Sequence, residues 1–182
     1  MSKRASLLAI TSGLLLAAAG CEAPQGAAAA QTGATRPTPS GLPVPRWVTL
    51  KFGEVNARGG PGDDHRKLWV YRVKGLPVQV VAETKDWRRI CDGEGGLSWV
   101  HKRVVDGKRN VLNLSGAPVP LHAKERADSP ARAYLAVGAM AAVDRCKGEW
   151  CRVEAGSVKG WAPPGQLWGT VETPLCKAKR RR

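Results

Sequence analysis

Histidine is scarce in this chain: His65, His101 and His122 are the three it has. No Ser-His-Asp or Cys-His set can be assembled from them on any repeated feature, so activated-nucleophile hydrolysis is not expected. The histidines read as ordinary surface residues, and the chain as no enzyme with no cofactor. There is no C-x-x-C pair of the thioredoxin kind, and no second close pair of Cys or His that would complete a zinc site. The stretch "VNARGGPGDD" (residues 55–64) lacks the Lys-Ser/Thr ending of a phosphate loop. Its Asp63 and Asp64 would repel an anion, so it reads as a turn at a strand end. No apolar run reaches the ~20 residues needed to span a bilayer. Past Ala19 no segment carries a helical period. Acidic residues are also few, 15 against 29 Lys and Arg, giving a net charge of +14.

What is present at the start is an export signal. Lys3 and Arg4 precede an apolar run over residues 7–19, which suits the charged and hydrophobic regions of a signal peptide ending near residue 20. Two processing sites compete. "AAGC" (18–21) has the form of a lipobox in which Cys21 is acylated, and "AAAAQ" (27–31) that of a small-residue site cleaved after Ala30. The chain is therefore expected in the periplasm or cell envelope, held by a lipid on Cys21 if the first site is used. The positive charge is spread over the chain, with +2 in residues 1–43, +4 in each of 44–106 and 107–170, and +4 in 171–182. Outside the cytoplasm its natural anionic partners are headgroups, envelope polymers and acidic proteins, not nucleic acid. Residues 21–43 are rich in Ala, Pro, Gly and Thr and read as a disordered linker. The final "KAKRRR" (177–182) reads as a solvated basic tail.

Everything between is a repeat. Tyr71 and Tyr134, Gly75 and Gly138, Trp87 and Trp150, and Ile90 and Val153 each lie 63 residues apart. Trp99 and Trp161 are 62 apart, and Val55 and Val119 are 64 apart. Each unit is a series of short strands with turn signals at close intervals. In "PVQVVAE" (77–83), Val78, Val80 and Ala82 alternate with Gln79, Val81 and Glu83. The pattern predicts an all-β fold with one small barrel or sandwich per repeat. Trp87, Trp150, Trp99 and Trp161 are expected to build the two cores, or alternatively to line a binding groove. Trp47, Trp69 and Trp168 have no aromatic counterpart in the other repeat and are assigned to a seam between the repeats.

In "DRCKGEWCRV" (144–153), Cys146 and Cys151 fall opposite each other if the flanking segments form a hairpin with residues 147–150 as its loop. Facing Cα atoms in an antiparallel pair are close enough for a disulfide. In an oxidising compartment this pairing leaves Cys91 and Cys176 to bond to each other.

Taken together, "EVNARGGPG", "KGLPVQVVAE", "DWRRI" and "SWVH" resemble the bacterial SH3-like (SH3b) domain. "VPLHAKERADSPA", "VGAMAAV", "EWCRV" and "KGWA" resemble a diverged second copy. Ser98 stands where the family has Gly before Trp, whereas Gly160 keeps it. The resemblance covers residues 44–170 and implies two tandem barrels, at 44–106 and 107–170. It implies a binding or targeting module whose partner is peptidoglycan or an envelope protein, with a scaffold in an envelope assembly as the alternative. The more complete first copy puts ligand contacts at Asn56, Arg58, Tyr71 and Trp87.

Overall fold

The computed structural model describes residues 38–171 and Cys176. The expected signal peptide, Cys21 and the "KAKRRR" tail lie outside the described residues. Two antiparallel sheets share one compact unit.

The first sheet contains β1 (Arg46–Leu50), β2 (Val55–Arg58), β3 (Lys67–Tyr71), β4 (Pro77–Glu83), β5 (Trp87–Cys91), β6 (Leu97–His101) and β7 (Val105–Asp106). Their order across the sheet is β3-β2-β6-β5-β4-β1-β7. The second contains β8 (Asn110–Leu112), β9 (Val119–His122), β10 (Ala131–Leu135), β11 (Met140–Lys147), β12 (Trp150–Ala155) and β13 (Val158–Ala162). Their order is β10-β9-β13-β12-β11-β8. The all-β, twofold architecture is the one the strand and turn pattern predicts.

Each sheet encloses its own apolar core. Val48, Leu50, Val55, Val78, Val80, Ile90 and Val100 fill the first. Val111, Val119, Leu121, Leu135, Val153 and Leu167 are among those in the second. The repeat partners Val55 and Val119 are each 1% exposed. Gly75 and Gly138 have φ of 80° and 75°, and each turns the chain two residues before β4 or β11. A side chain rarely adopts that left-handed backbone, so both copies keep glycine there.

The hairpin of β11 and β12 puts Cys146 opposite Cys151, bonded, with Cα atoms 4.0 Å apart. Its loop is shorter than the four residues expected. Lys147 and Trp150 still pair across the strands, which leaves Gly148 and Glu149 as the turn. Cys91 and Cys176 are also bonded.

The alternation expected in β4 fails at its first half, where Val78, Gln79 and Val80 are all 0% exposed. The second barrel and the chain after it cover the face that would otherwise meet water. Trp168 donates its indole N–H to the Pro77 carbonyl, and the Gln79 amide donates to the Val171 carbonyl. Farther along, the β4–β5 register shifts between Val80 and Ala82.

The seam is built around two tryptophans. Trp47 and Trp168 meet edge to face at 5.0 Å. The Trp47 indole donates to the Val171 carbonyl at 2.8 Å. Asn110 at the start of β8 donates its side-chain amide to the Gly75 carbonyl at 2.8 Å. Trp47 and Trp168 thus occupy the seam as expected, but Trp69 does not join them.

The ends of the barrel pair are held more firmly than the composition suggested. Residues 38–43, assigned to the disordered linker, form a turn docked on the first barrel. Its Ser40 N–H donates to Glu83 at 2.8 Å. Residue 171, placed in the basic tail, accepts two of the seam hydrogen bonds through its carbonyl, and Cys176 is anchored to Cys91. Apolar scarcity hid these contacts because they are made by backbone polar groups and one sulfur.

Candidate functional site: a cleft between the barrels

In the hairpin of β2 and β3, Trp69 pairs with Ala57 and Tyr71 with Val55. Two residues apart on a strand, the rings share a face, and they meet edge to face at 6.0 Å. Trp69 is 36% exposed. Tyr71 is held from below. Its hydroxyl donates to Asp92 Oδ2 at 2.7 Å and lies 3.5 Å from Ser98 Oγ. The other carboxylate oxygen of Asp92 accepts the backbone N–H groups of Glu94 and Gly96, which ties off the turn between β5 and β6. Burial pushes the Tyr71 hydroxyl well above the usual phenol range, and the Asp92 carboxylate adds to the shift. Tyr71 is thus a neutral, fixed donor.

Over these rings opens a cleft of about 590 Å³. Trp69, Tyr71, Arg72, Val73, Asp92 and Glu94 line it from the first barrel, and Leu112 and Leu114 from the second. Val73 and Leu114 are 45% and 46% exposed. An aromatic wall, an apolar wall and the charged side chains of Arg72 and Glu94 suit a ligand with both apolar and polar parts.

Of the four residues expected to contact ligand, Tyr71 alone lines this cleft. Asn56 is exposed and opposes Val70, on the strand face away from Tyr71 and Trp69. Arg58 turns into its own loop. It donates to the carbonyls of Asp63 and His65 at 2.8 and 2.9 Å and pairs with the Asp63 carboxylate at 3.0 Å. Its side chain is 14% exposed, so it closes the turn after β2. Trp87 is 9% exposed and packs edge to face on His101. It starts β5 whereas Asp92 follows its end, which separates them by about 16 Å of extended chain. The core alternative for Trp87 is therefore the observed one. In the second copy Trp150 also meets a histidine edge to face, but it is His122 of β9, not a residue of the strand that corresponds to β6.

The missed wall residues were Trp69 and Asp92. The alternation of Trp69 with Tyr71 was a usable signal. For Asp92, the signal was a carboxylate just before the Gly-rich "GEGG". Leu112 and Leu114 carried none, since their role depends on how the barrels meet. Among the described residues no three His, Cys, Asp or Glu side chains gather as metal ligands.

The family model for the bacterial SH3 domain matches residues 51–107 and again 115–169. The chain belongs to the bacterial SH3 domain family. The two matches fall on the two sheets, so the protein is a tandem of bacterial SH3 domains. The second copy differs at the cleft position, because Tyr134, the counterpart of Tyr71, is 67% exposed. No curated protein matches the sequence. Among solved structures the chain is similar to NlpC1 and NlpC2 from Trichomonas vaginalis, each at 12% identity and a TM-score of 0.32. The similarity covers 68% of this chain and 45% and 47% of theirs. The chain thus spans less than half the length of those proteins.

Proposed function

We propose that this protein is a non-catalytic envelope module that binds peptidoglycan, gripping its peptide stems in the cleft between the two barrels. What carries the reading is the exposed Trp69 set edge to face against a Tyr71 fixed by Asp92, in a cleft large enough for a short peptide. Bacterial SH3 domains commonly bind wall or envelope components, and the export signal in the sequence is consistent with such a site of action. The rings would cover the apolar part of a stem, and the exposed Glu94 would face an amine. Leu112 and Leu114 make the site a property of the tandem.

The test is co-sedimentation with insoluble peptidoglycan at low and high salt. Trp69→Ala is expected to weaken binding about tenfold or more, as removal of a central aromatic contact does. Asn56→Ala, on the opposite face, is expected to leave it unchanged. Equal binding by wild type and Trp69→Ala would overturn the assignment, as would loss of all binding in high salt. A scaffold role in an envelope assembly is the second reading. It draws on the exposed Tyr134 and Val137 of the second barrel, and a stable oligomer in light scattering would favour it.

A further inference from the structure

A second groove, of about 410 Å³, shares no lining residue with the aromatic cleft. Lys51, Phe52, Lys74 and Asp106 border it from the first barrel, Lys108 from the connection and Asn110 from the start of β8 in the second. We infer that this groove, at Lys51, Lys74 and Lys108, binds the phosphate group of an organic phosphate ester.

The charge is the first argument. All three lysines are exposed, and among the described residues none of their ammonium groups is in an ion pair. Three ammonium groups border the groove against one carboxylate. That carboxylate already accepts the Lys108 backbone N–H at 3.0 Å. Like charges gathered around one concavity repel, and an anion between them relieves the repulsion.

The residue types choose the anion. A planar carboxylate is best matched by the fork of an arginine, and no arginine lines the groove. Lysines are point charges with rotatable donors, and three of them can each meet a different oxygen of a tetrahedral phosphate. Phe52 then accounts for the ester. It is the chain's single phenylalanine, 48% exposed, with the Lys51 ammonium 5.7 Å from its ring centre. A ring left out of the core beside the cations offers a surface for the organic part of the ligand. The Asn110 amide, bonded to the Gly75 carbonyl, fixes the two barrels against each other at this groove.

A phospholipid headgroup and a soluble phosphate ester share this chemistry, and two arms of one experiment separate them. Inorganic phosphate is titrated into the purified chain while backbone amides are followed by NMR. Vesicles of phosphatidylcholine with and without phosphatidylglycerol are tested by co-sedimentation. Phosphate is expected to shift amides at Phe52, Lys74 and Lys108. Lys74→Ala/Lys108→Ala should weaken that binding by about tenfold, and the control Lys67→Ala/Lys124→Ala, which removes equal charge elsewhere, by less than about twofold. Trp69→Ala should leave it unchanged, which keeps this site separate from the peptidoglycan reading. Retention on phosphatidylglycerol vesicles that Phe52→Ser reduces identifies a lipid source, and phosphate binding without such retention identifies a soluble one. Groove amides that stay unmoved at tens of millimolar phosphate would overturn the site. So would an equal loss in the control variant.

Discussion

Glu83 shows how one side chain holds a charge cluster in a small β fold. Its side chain is 1% exposed between the guanidinium groups of Arg46 and Arg88, and it accepts the Ser40 N–H from the segment before β1. Burial alone would raise its carboxyl, but the hydrogen bonds from Ser40 and Arg46 outweigh that and bring it down to about 2. A carboxyl lower in the folded than in the unfolded chain adds stability above its unfolded value of roughly 4.3, and that stability drains away as pH falls toward 2. Glu83→Gln is therefore expected to cost roughly 2–3 kcal/mol at neutral pH. The gap to wild type in urea midpoints should close between about pH 4.5 and 2. A gap independent of pH would show that the ionised carboxylate is not what stabilises this corner.

Among the elements, β13 and its counterpart β6 carry the family's Gly-Trp step in two versions. A Cβ on Gly160 would lie 2.6 Å from Leu121 Cβ and 2.8 Å from its carbonyl carbon, so β9 passes too close for any side chain. Gly160→Ala should destabilise the protein by about 1–3 kcal/mol, measured by chemical denaturation. Unchanged stability would mean that β9 moves aside freely. Ser98 occupies the matching place in β6, 2% exposed, with its hydroxyl near Tyr71. Strands, turns and the Cys146–Cys151 staple were legible because they depend on local periodicity and spacing. The surroundings of the candidate site residues were not. Arg58 looks like a free cation in sequence, and only the closed loop shows its acceptors on Asp63 and His65. Trp87 has a repeat partner in Trp150 and Trp69 has none, but that difference does not say which ring faces the cleft. What separates them is which end of the barrel each strand brings it to.

For the molecule as a whole, the seam decides whether two barrels act as one body. Trp47, 7% exposed, contributes both an edge-to-face contact and a hydrogen bond there. Trp47→Ala should cost about 3–5 kcal/mol, and in calorimetry it should split a single unfolding transition into two. One transition in the variant would show that the barrels stay coupled through the remaining seam contacts. Both grooves take residues from the two sides of the seam, so the shape of each depends on the barrels staying together. The Cys91–Cys176 bond joins positions 85 residues apart, and the whole second barrel lies between them. Cys176 is the last of the four bonded cysteines in chain order. The clasp can thus close only on a chain that has been made through the second barrel. A product that stops short of residue 176 carries an unmatched thiol on Cys91, so this bond doubles as a chemical mark of a chain that carries both barrels.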